Sequence, residues 1–66
     1  MQLITTPNIT DADGFYEELI GSQRELTEPD AVAMNARLVL LLANNIGNRA
    51  VLREAISLAR KLPADR

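Results

Sequence analysis

The sequence predicts an all-α fold, a small three-helix bundle with an extended N-terminal arm, and three observations carry that reading. Apolar residues recur at spacings of three and four in three successive segments, which is the period of one helix face. Turn-forming residues divide those segments: Pro7, the stretch from Gly21 to Thr27, the Ile46-Gly47-Asn48 corner and Pro63. Hydrophobic residues make up 47% of the chain, too many for disorder, and 66 residues suit one domain spanning 1–66.

The arm, residues 1–9, holds Leu3, Ile4, Thr5 and Thr6, which favour extended backbone, and Pro7 ends any such segment. The first helix is expected over 10–25. Thr10 or Asp11 opens it by accepting from free amides, and Asp11 and Asp13 suit its positive end. Gly14 weakens the first turn. Phe15, Tyr16, Leu19 and Ile20 gather on one face, so both aromatics are expected to pack.

The second helix is expected over 28–45, with Thr27 as its cap, Pro29 where a missing N–H costs nothing, and Asp30 placed to reach back. One face collects Ala31, Met34, Leu38, Leu41, Leu42 and Asn45 and is assigned to the core. Gly47 suits the left-handed position after a helix end, and Asn48 then caps a third helix over 49–62. That helix places Val51, Leu52, Ala55, Ile56, Leu58, Ala59 and Leu62 at core spacings, while Arg60 and Lys61 complement its negative end. Pro63 stops it, and Ala64-Asp65-Arg66 reads as a frayed tail.

Composition excludes most chemistry available to a small domain. With Cys 0 and His 0 there is no disulfide, thiol nucleophile, imidazole base or zinc site of the usual Cys/His type. Tyr16, Lys61, Ser22 and Ser57 then lack a base near neutral pH, and the adjacent Glu17 and Glu18 point to different sectors of a helix. Asp11, Asp13, Glu17 and Glu18 lack a calcium-loop spacing, and Gly14, Gly21 and Gly47 belong to no phosphate-binding loop. The expectation is a non-enzymatic protein with no catalytic residue, metal or cofactor. The start of the chain has no basic and apolar leader pattern, and the longest apolar run, Leu38 to Ala43, falls well short of a membrane span. The expected location is cytoplasmic.

Charge is small in sum, −2, and uneven in position. Asp11, Asp13, Glu17, Glu18, Glu25, Glu28 and Asp30 face only Arg24 in the first half, whereas Arg49, Arg53, Arg60, Lys61 and Arg66 dominate the end. The basic side of the third helix supports an alternative reading as a small nucleic-acid-binding regulator. Net acidity and the lack of an aromatic stacking platform weigh against it, and a solvated face opposite the acidic first helix explains the arginines as well.

The second helix departs from a plain bundle, because Leu38-Val39-Leu40-Leu41-Leu42-Ala43 is apolar in every direction. Val32, Val39, Leu40 and Ala43 would form an uncovered patch, which in soluble proteins marks an interface. Asn35, Arg37 and Asn44 border it as polar candidates; Arg37 serves equally as an interface anchor or as a partner for an acid on the first helix. A second copy or a larger subunit would supply the cover, unless the arm folds back through Leu3, Ile4 and Ile9. The expected function is a helical protein–protein interaction module, working as a homodimer or as an accessory subunit of a larger enzyme.

The order of Asp13-Gly14-Phe15-Tyr16-Glu17-Glu18-Leu19-Ile20, Met34-Asn35-Ala36-Arg37-Leu38, Leu41-Leu42-Ala43-Asn44 with Ile46-Gly47, and Val51-Leu52-Arg53-Glu54-Ala55-Ile56 resembles a family of short bacterial proteins classed as a domain of unknown function. The resemblance spans roughly residues 3–60, with Asn-Ala-Arg-Leu as its most specific block. It brings no activity or site residue. It implies genes often placed beside flavin-dependent aromatic hydroxylases, and hence a small accessory subunit in aromatic-compound breakdown.

Overall fold

The computed structural model of the protein describes residues 1–63, so the tail Ala64-Asp65-Arg66 lies outside the described residues. Three helices follow one another: α1 (Ala12–Ser22), α2 (Glu28–Ile46) and α3 (Arg49–Lys61). The fold is all-α and bundle-like, with no strand among the described residues and an arm, 1–9, that has no regular secondary structure.

Local chemistry fixes the helix ends. Asp11 caps α1, its Oδ1 accepting from the Gly14 amide at 3.0 Å. Helix α1 is shorter than the expected 10–25 at both ends. It stops at Ser22, where the Gln23 and Arg24 amides turn to the carbonyls of Ile20 and Gly21 at 3.1 and 3.2 Å, three residues back. Glu25 then adopts a left-handed backbone at φ 69, which no continuing helix permits.

Thr27 Oγ1 accepts from the Asp30 amide at 3.3 Å and opens α2, with Pro29 in its first turn. The helix runs one residue past the expected 45, and Gly47 closes it at φ 69 by donating to the Ala43 carbonyl at 2.9 Å. Asn48 Oδ1 at once accepts from the Val51 amide at 3.0 Å to start α3. The third helix ends at Lys61 rather than 62, with Leu62 extended as its cap.

Packing is thinner than the face assignments imply. Helices α2 and α3 approach within 8 Å between Cα atoms, whereas α1 comes no closer to α2 than side-chain contact at its C-terminal end. There Gln23 Nε2 donates to Asn35 Oδ1 at 2.8 Å, and Ser22 Oγ lies 3.9 Å from Met34 Sδ. Among the described residues Val51 alone is fully buried, at 3% exposure. Ala31, Met34 and Leu38 are half-buried as a core face requires, but Leu41, Leu42 and Asn45 on the same face are exposed. Asn45 bonds back to its own helix at the Leu41 carbonyl, 2.9 Å away. Phe15 and Tyr16 are also exposed rather than packed, as are Ile56, Leu58, Ala59 and Leu62. The reason is geometric: α1 reaches α2 only at its end and leaves most apolar faces without an opposing helix. The radius of gyration of 13.3 Å exceeds the roughly 11 Å of a compact chain of this length.

Candidate interaction surface

Only two residues, Gly47 and Asn48, separate α2 from α3, and so short a corner brings the two helices into contact. They do not close. An apolar groove of about 440 Å³ lies between them, with one wall from Val39, Leu40, Leu42, Ala43 and Ile46 and the other from Leu52, Ala55, Ile56 and Ala59. Its lining has no charged or polar side chain. The small residues Ala43 and Ala55 sit half-buried on its floor, while Val39 at 63% and Leu40 and Ile56 at 69% exposure stand at its edges.

The groove brings together three residues expected at an interface, Val39, Leu40 and Ala43. Val32 is exposed two turns upstream on the same stripe, seven residues before Val39. Asn35 is not a free border residue, because it accepts from Gln23, the residue that caps the end of α1. Arg37 and Asn44 are exposed but do not line the groove, so the structure separates them from the apolar set. The polar crossing to α1 is made by Asn35 rather than Arg37.

The α3 wall was hidden from sequence reasoning by its own regularity. Leu52, Ala55, Ile56 and Ala59 have the spacing of an ordinary core stripe, and nothing in that spacing tells a filled core from an open groove. Leu42 was hidden for the same reason.

The arm does not provide the cover. Leu3 is half-buried in a shallow depression of about 300 Å³ that it shares with Glu54, Ser57, Leu58 and Lys61, on another flank of α3 from the groove. Ile4 and Ile9 remain exposed, and so do Val32, Val39 and Leu40. Arg49, Arg53 and Arg60 are exposed on the outer side of α3. No helix of the described residues is long and apolar enough to cross a membrane.

These features define a class: a small, all-α chain whose helical hairpin leaves an uncharged apolar groove open. The chain belongs to the family described as a protein of unknown function, DUF2783, which matches residues 3–61. No curated protein and no solved structure matches it.

Proposed function

We propose that the protein is a non-enzymatic interaction module that associates with another polypeptide through the apolar groove of α2 and α3. The observation that supports this most directly is the exposure of Val39, Leu40 and Ile56 around an uncharged groove that the arm leaves bare. Residues with this chemistry bind by removing apolar surface from water, so the partner must bring an apolar surface of its own. The resemblance carried by the Asn35-Ala36-Arg37-Leu38 block implies genes placed beside flavin-dependent aromatic hydroxylases, and a larger enzyme subunit is one form that such a partner would take.

The test is the mass of the assembly formed by the wild-type chain, alone and co-expressed with the proteins encoded beside it, against that of Val39→Glu and Leu40→Glu. A charge placed in an apolar contact has no partner there, and the expected effect is an affinity loss of about a hundredfold or more. Unaltered assembly by both variants would sink the reading.

A further inference from the structure

We propose that the groove is closed by the same groove of a second copy of this chain, two α2–α3 hairpins packing face to face about a two-fold axis as a four-helix core. The proposal rests on the interaction reading above and adds the identity of the partner.

The chain exposes 6188 Å², whereas a monomeric globular protein of 7.3 kDa exposes about 4,200 Å² by the usual scaling of surface with mass. The excess is roughly 2,000 Å² per chain and is shared by the arm, the open helix faces and the groove, so a contact that hides even half of it on each of two copies buries about 2,000 Å², the size of a stable interface. A small molecule in the groove would leave most of that excess in water.

An isologous interface must be complementary to itself, since each residue that contacts another is contacted by the copy of that other. The groove supplies both halves of such a contact: Ala43 and Ala55 lie half-buried within it, and Leu40 and Ile56, each 69% exposed, stand beside it. A two-fold axis places the projecting side chains of one copy over the alanine floor of the other, as knobs enter holes between paired helices.

The groove is uncharged, and the chain is acidic at the start of α2, with Glu28 and Asp30, and mainly basic on α3, where Arg49, Arg53 and Arg60 outnumber Glu54. A second copy presents both signs in reversed order, whereas a partner of one sign would match only half of this surface. A formal charge of −2 leaves little repulsion between copies.

Light scattering on the full chain alone, over a wide range of concentration, tests this. Twice 7.3 kDa is expected for the wild type, with Leu40→Glu and Ala43→Leu both falling to 7.3 kDa while circular dichroism shows their helices intact. The second variant fills the floor without adding a charge, so agreement between the two separates a blocked groove from a misfolded chain. A dimer unchanged in both variants would overturn the groove as the contact. A wild-type mass of 7.3 kDa at every concentration would overturn the second copy as the occupant. In that event, an environment-sensitive apolar dye that lights up on the wild type and not on Leu40→Glu would leave the broader interaction reading standing. A monomer that binds no dye would remove both.

Discussion

The corner between α2 and α3 depends on two residues with different duties. Gly47 holds φ 69, and a Cβ built on it would find nothing nearer than the Asn44 carbonyl oxygen at 3.8 Å. The resistance to a side chain is therefore backbone strain rather than collision, and Gly47→Ala should destabilise the fold by about 1–2 kcal/mol. For a domain of this size each kcal/mol lowers Tm by about 4–8 °C, so a thermal melt reads it directly. Gly14 is the opposite case: its backbone is helical, but a Cβ would meet the Asp11 carboxylate that caps α1. Gly14→Ala gains about 1 kcal/mol of helix propensity and loses about the same from the displaced cap, so its melt should hardly move. A Gly14→Ala shift as large as that of Gly47→Ala would show that one of these local accounts is wrong. Residue-scale features of this kind were legible in the sequence. A cap joins groups three residues apart, and Asp11, Thr27, Gly47 and Asn48 need no knowledge of the tertiary fold to act.

At the scale of elements legibility was partial, and the reason lies in what a periodic pattern encodes. The three helices and their order follow from apolar spacing and turn residues, but spacing gives the direction of a face and not what lies opposite it. Leu41 and Leu42 share the direction of Ala31, Met34 and Leu38, yet only the latter three lie where α1 or the hairpin shields them. Val39, Leu40 and Ala43 were readable as an uncovered set because α2 has more apolar directions than neighbours; Leu52, Ala55, Ile56 and Ala59 were not, because α3 has a conventional stripe. The Gln23–Asn35 bond is the polar link that sets where α1 sits on α2. It is exposed, so water replaces it readily. Asn35→Ala should cost less than about 1 kcal/mol, with a double-mutant coupling to Gln23→Ala of about 0.5 kcal/mol. Urea unfolding of the four proteins in that cycle measures it. A coupling of several kcal/mol would mean that the bond is buried in solution, as it would be if a partner covered this side of α2.

At the scale of the molecule the question is where the stability resides. A chain of 66 residues in which Val51 is the single fully buried side chain among the described residues has little core of its own, and domains below roughly 70–80 residues commonly need oligomerisation or another staple. If two copies complete one core, unfolding and dissociation are one event, and mass action makes Tm depend on protein concentration. Each tenfold rise in concentration then adds about 1.4 kcal/mol to the folded dimer, which should raise Tm by about 3–8 °C. Salt separates the two contributions to that dimer. The uncharged groove is insensitive to screening, whereas attraction between the acidic and basic flanks decays over about 10 Å at 0.1 M salt and about 3 Å at 1 M. High salt should thus lower Tm slightly at fixed concentration while leaving its concentration dependence in place. A Tm that ignores concentration would place the stability within one chain, and a dimer that dissolves in high salt would move the contact from the groove to the charged flanks.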